Sequence, residues 1–367
     1  MSTTTNNIHK WLAAIGFLTL FVLASCKSST SPTTTPSTPF VETALVSDTL
    51  GYNAALIDTT FANGWGISVG PTGLFWLSSN HGGVTDIYDG NGVTKKAPVT
   101  IPSNNGTDPG APTGVIYNGT ADFGSYLFIY AGEDGIIAGW KAASGSSAVK
   151  LATDASSGAV YKGIAMASTG GNNYLYVTDF GENKIVVYDK NFQPVSMTFT
   201  EGGSPAIPIG TPGFGPFGIQ NIGGLLYVTY AKHKPAPDDG DDAGGAGNGY
   251  VSVFKPDGTF VKRFASQGTL SSPWGIAVAP STFGQFKNAI LVANFGDGTI
   301  SGFDSTGASL GQISTDANNT PMHIPGIWGL LSTGSTSLGN GDVPNALYFT
   351  AGPHEEDHGI FGYVLPQ

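Results

Sequence analysis

The chain has 367 residues, 54 of them glycine and 23 proline, and only 11% are charged. That balance excludes a protein built of long helices and predicts an all-β body with many tight turns. An apolar content of 40% suffices for a core, and a net charge of −11 argues against nucleic acid or an anionic membrane surface as a partner.

The N-terminus reads as a targeting segment. His9 and Lys10 precede an apolar run at residues 11–23, too short to span a bilayer but suited to a signal-peptide core. Leu23-Ala24-Ser25-Cys26 follows and resembles the bacterial lipobox, in which the cysteine is lipidated and becomes the first mature residue. Cys26 is the only cysteine, so no disulfide can form within one chain. Lys27 stands where, in lipoproteins of that kind, Asp would mean retention at the inner membrane. The resemblance therefore implies an outer-membrane lipid anchor in the bacterial cell envelope. Residues 27–39, KSSTSPTTTPSTP, cannot bury a core and read as an extended tether. The expected division is a lipoprotein signal peptide at 1–25, a tether with lipidated Cys26 at 26–39, and a folded domain at 40–367. Removing residues 1–25 takes Lys10 and no acid, so the net charge becomes −12.

A repeat organises the rest. Its clearest copy, residues 161–189, holds three short strands at 163–167, 174–178 and 184–188, separated by Gly170-Gly171-Asn172 and Gly181-Glu182-Asn183. Aligning on the glycine of the first strand gives Gly66, Gly114, Gly163, Gly218, Gly275 and Gly329, at intervals of 48, 49, 55, 57 and 54 residues. Six copies of several strands each predict a six-bladed β-propeller. The last copy ends after its third strand. Residues 41–47, VETALVS, precede the first copy and are expected to close the last blade, leaving it no free edge.

The units PWGIAVAP and ILVANFGDGTISGFD resemble NHL repeats. Together with Gly64-Trp65-Gly66-Ile67, Pro216-Phe217-Gly218-Ile219 and the terminal YFTAGPHEEDHGIFG, they resemble a functionally uncharacterised family of secreted bacterial six-bladed propellers. The resemblance covers nearly the whole mature chain and implies a fold and a location, but no activity.

Two motifs carry possible chemistry. His354-Glu355-Glu356-Asp357-His358 matches H-E-x-x-H, which binds zinc when a helix sets both histidines on one face. Pro353, Gly359 and the flanking strands place it at a hairpin tip instead, as an acidic turn with a divalent-cation site as the alternative. The insertion at 232–248 clusters Asp238, Asp239, Asp241 and Asp242 like calcium ligands, yet no EF-hand register fits, and a solvated acidic loop is the simpler reading. The weak metal set is thus these four aspartates with His354, Glu355, Asp357 and His358, for Ca or Zn. Both motifs lie between second and third strands, so both should emerge on one strongly electronegative face.

The residue before each repeat glycine is Trp65, Thr113, Lys162, Phe217, Trp274 or Trp328. First strands line the channel, so these six are the candidate ligand-binding rim at its mouth; wedging between blades as core is the alternative. Two functions follow. One is a lipid-anchored, extracytoplasmic binding module for a protein, glycan or small molecule. The other is a metal-assisted hydrolase or lyase with its site at the channel mouth. Nothing resembles a nucleophile elbow or phosphate loop, and a monomer is expected.

Overall fold

The computed structural model describes residues 38–154, 158–210, 212–238 and 240–367. Cys26, the leader and Asp239 lie outside the described residues. Six sheets follow one another in chain order as a six-bladed β-propeller, antiparallel throughout except for the short outer strand Leu56–Ile57, which pairs parallel with Phe40–Ser47 in blade 6. Blades 1 to 5 span residues 64–100, 112–153, 161–195, 214–266 and 273–312. Blade 6 takes three strands from residues 327–366 and its fourth from Phe40–Ser47. That closing strand runs antiparallel to Ile360–Pro366, with Phe40 opposite Pro366 and Ser47 opposite Ile360. The predicted closure is therefore present, and Phe40 anchors it, its ring 4.9 Å from Phe283 and 5.9 Å from Phe286 in blade 5. Among the described residues no helix is long and apolar enough to cross a membrane.

The repeat glycines explain how the ring closes. A Cβ on Gly66 would strike the Thr113 carbonyl of blade 2, and one on Gly114 the Ile164 amide of blade 3. Gly163 faces Phe217, Gly218 faces Trp274, Gly275 faces Trp328, and Gly329 faces Trp65 in the same way. Each inner strand thus lies backbone against backbone with the next, and a side chain at these positions would have to push the neighbouring strand away. In blades 3, 4 and 6 the glycine N–H donates to a threonine hydroxyl on the second strand: Thr178 at 2.8 Å, Thr229 at 2.7 Å and Thr350 at 3.0 Å. Thr178 donates onward to the Phe217 carbonyl of the next blade at 2.6 Å, and Thr350 to that of Trp65.

All six blades also carry a slip in register around the pre-glycine residue, between Gly64 and Ile67 in blade 1 and at the matching positions elsewhere. Such a bulge re-aims one side chain. Here it turns the six pre-glycine side chains together at the end of the channel where the inner strands begin. Both ends of the described chain leave from the other face: the Thr38 amide donates to Gln285 Oε1 at 3.1 Å, and the Gln367 amide to the Pro39 carbonyl at 2.9 Å.

Candidate functional site

The pre-glycine residues meet, but they do not form an open rim. Trp65 and Trp328 are each 1% exposed, and Phe217 and Trp274 are buried with them. Trp65 stacks on Trp328 at 3.6 Å, and Trp274 meets both edge-on at 5.8 and 5.7 Å. Phe217 adds a tilted contact with Trp328 at 5.7 Å. Side chains from blades 1, 4, 5 and 6 thus converge to plug the mouth of the channel. Beneath the plug only a cavity of about 40 Å³ remains along the axis, lined by the repeat glycines and Trp274. The expectation of exposed ring faces is corrected here: bulky aromatics in a narrow ring fill it, because each buries more area against its neighbours than against water. Thr113 is also buried, its hydroxyl shared between the Ala131 and Tyr161 carbonyls at 3.2 and 2.9 Å.

Lys162 is the charged member of this ring. It is buried, and its ammonium sits 2.5 Å from Glu133 Oε1 and 4.9 Å from the centre of the Trp65 ring. Burial pulls the Lys162 ammonium down, but Glu133, with Glu356 and Asp242 behind it, outweighs burial and holds it above the ordinary lysine value. Burial likewise pushes Glu133 up, and Lys162 and Asn80 outweigh it to keep this carboxylate below its usual range. Asn80 Nδ2 donates to Glu133 Oε2 at 3.0 Å, Asn63 Nδ2 to Asn80 Oδ1 at 3.3 Å, and Asn63 Nδ2 also to Glu356 Oε1 at 3.0 Å. One polar chain therefore runs from blade 3 through blades 2 and 1 to blade 6.

A second ring lies above the first, one residue past the second-strand partner of the residue two before each repeat glycine. Its members are Asn80, Glu133, Phe180, Ala231, Phe295 and Gly352. Phe295 stacks on the free face of Trp328 at 3.8 Å. Ala231 and Gly352 leave gaps in blades 4 and 6. Over this uneven rim opens a pocket of about 640 Å³. Trp65, Lys162 and Trp328 line it together with Phe295 and Gly352. Its walls are the blade 4 insertion, through Lys234, Asp241 and Asp242, and the blade 6 turn, through His354, Glu355 and Glu356.

The two acidic motifs thus face one pocket. Burial pushes the Asp242 carboxyl up, against Ser272 and Lys162. Burial also pushes Glu356 up, with Lys162 and Asn63 opposing and Glu133 and Asp242 adding to the rise. Lys234 reaches Asp241 at 3.4 Å. The remaining candidates stand elsewhere. Asp238 and Asp357 are exposed away from the pocket wall. His358 is tied by Nδ1 to Asp48 Oδ2 at 2.9 Å, and the Gly359 amide donates to Asp48 Oδ1 at 3.0 Å.

The H-E-x-x-H segment is a turn, not a helix. His354, Glu355 and Glu356 all have positive φ, at 62°, 56° and 70°, a left-handed run that Pro353 and the Asp48 clamp enclose. Among the described residues no three His, Cys, Asp or Glu side chains come together in a way that could hold a metal ion. Asn63, Asn80, Lys234 and Phe295 were not marked as site residues by the sequence. Extending the repeat alignment two residues past each second strand, as the sequence bounds it, finds Asn80 and Phe295.

Fold and mouth together define a six-bladed propeller whose channel is plugged by aromatics and roofed by a charged pocket. No protein-family model matches the chain. It is 32% identical over 325 residues to "Uncharacterized protein R648" of Acanthamoeba polyphaga mimivirus, covering 85% of this chain and 76% of the relative. The chain belongs to the family of that protein. The sequence relatives found are giant-virus proteins, so they lend no support to the bacterial part of the resemblance. Among solved structures, a Bacteroides thetaiotaomicron protein of unknown function matches with a TM-score of 0.54 at 12% identity, over 89% of this chain and 76% of that one. The apo soluble aldose sugar dehydrogenase of Escherichia coli matches with a TM-score of 0.52 at 14% identity, over 89% and 100%. Identities this low speak for the propeller fold alone.

Proposed function

We propose that this protein is a binding module that holds a small ligand in the mouth pocket. The observation that carries the reading is the convergence of two insertions, from blades 4 and 6, over one aromatic floor. They enclose about 640 Å³, within the size range of small-molecule sites. A buried lysine and a polar chain spanning four blades hold that floor rigid, which is what a preformed site needs. The test is a thermal-shift screen of a small-molecule library on the wild type and on His354→Trp. His354 is exposed at the pocket edge, so the larger ring fills space without entering the core. Compounds that stabilise the wild type should lose their effect on the variant. A library without hits, or hits indifferent to the substitution, would overturn the reading.

The leader pattern further supports an extracytoplasmic module anchored through lipidated Cys26 at an outer membrane. Among the described residues the chain enters the propeller at Thr38, on the face away from the pocket. Cys26→Ser should release the protein into the soluble fraction, still folded. A variant that stays membrane-bound after a salt wash would contradict the anchor.

A further inference from the structure

Resting on the pocket reading, we propose that the ligand is a hydroxylated primary amine of about amino-sugar size. Two independent features of the pocket point to its two functional groups.

The first feature lies at Gly352, on the pocket wall. The Trp328 indole N–H and the Asn63 side-chain carbonyl are both buried, and neither finds a hydrogen-bond partner among the described residues. A Cβ on Gly352 would lie 3.3 Å from Trp328 Nε1 and would collide with Asn63 Oδ1, so the missing side chain brings this donor and acceptor to one spot. Amide orientation is not in question, because Asn63 Nδ2 already donates to Glu356 and Asn80. Buried polar atoms left unpaired are costly, so an occupant able to pair both is favoured. A hydroxyl does so with one atom, accepting from the indole and donating to the amide oxygen.

The second feature is the charge of the walls. Lys162, the only buried cation of the pocket among the described residues, is already committed to Glu133. Lys234 is engaged by Asp241. Asp242 and Glu356 remain, half-buried and without an ion-pair partner of their own among the described residues, with Glu355 on the rim. An ammonium entering between them would supply the missing counter-charge, and the outer face of Phe295 offers it a further cation–π contact. Neither a plain sugar nor a plain amine satisfies both features.

The experiment is titration calorimetry of the full chain with glucosamine, glucose, N-acetylglucosamine and cyclohexylamine. Glucosamine should bind at least about tenfold more tightly than the other three. Glu356→Gln should bring glucosamine down to the level of glucose. Asp242→Asn, on a separate loop, repeats the test should Glu356→Gln fail to fold. Equal affinity for glucose and glucosamine would overturn the ammonium, and equal affinity for cyclohexylamine would overturn the hydroxyl. Binding of none of the four, beside library hits lost in His354→Trp, would overturn this ligand class and leave the pocket reading standing. Absence of both would defeat the pocket reading itself.

Discussion

At the mouth, the six inner strands present Trp65, Thr113, Lys162, Phe217, Trp274 and Trp328, all buried, with the four aromatics packed across the axis. At the opposite end the same strands finish among Ile67, Tyr117, Met166, Val278 and Leu331, part-exposed around open clefts of about 240 and 370 Å³. No charged side chain lines those clefts, whereas the mouth pocket is lined by two lysines and four acids. Backbone spacing is set by the glycines in between. The difference lies in side chains that the register slip turns inward at one end only. Chemistry therefore concentrates at the mouth, and sensitivity to substitution should follow it.

The most damaging change removes the comparison altogether. Deleting residues through Ser47 takes the fourth strand from blade 6 and the buried Phe40 and Val46 with it, and should abolish cooperative thermal unfolding. A truncated protein melting like the full chain would show that closure is dispensable. At the mouth, Trp328→Ala empties a site stacked on both faces and should cost about 3–5 kcal/mol in chemical denaturation. A cost below about 1 kcal/mol would mean the plug is loosely packed.

Behind the mouth, Thr60 Oγ1 lies 2.7 Å from Asp58 Oδ1 and 2.8 Å from Asp86 Oδ1. One hydroxyl proton cannot serve two carboxylates, so one of the two acids must itself carry a proton. Asp58 also accepts from Tyr88 and the Thr60 amide. Burial pushes Asp86 up to about 7, against the Thr60 hydrogen bond and with Asp58 adding to the rise. The folded state thus holds this proton more tightly than the unfolded chain does. Its contribution is complete below the unfolded value of 3.8, declines as pH rises and is lost above about 7. The span is on the order of 4 kcal/mol. Asp86→Asn, which can still donate to Thr60, should unfold with little pH dependence from this site. Parallel stability–pH curves for variant and wild type between pH 5 and 9 would contradict the shared proton.

Lys162→Met leaves Glu133 without its cation and should cost about 3 kcal/mol, recovered in part by adding Glu133→Gln. A double variant no better than the single would assign the loss to packing. At the opposite end, Val278→Ser, on a residue 39% exposed, should stay within about 0.5 kcal/mol. A loss as large as that of Lys162→Met would erase the contrast between the two ends.

Six glycines at near-regular spacing sufficed to read the number of blades, because a glycine is required wherever two inner strands touch, and that requirement is local. Closure by the N-terminal strand was legible for a similar reason: the last copy lacked a strand and the chain ahead of the first supplied one. The same alignment located the mouth residues, since a propeller sends equivalent positions to one face. Whether Trp65 and Trp328 would stand open to solvent or stack on each other depends on the width of the ring, and only the assembled blades set that width. Asn63 and Glu356 are 293 residues apart, and Lys162 finds Glu133 on a neighbouring blade. No spacing in the chain announces such pairs. Local patterns record what each strand needs from its own backbone. The pocket is made of side chains from separate blades, and closing the ring is what brings them together.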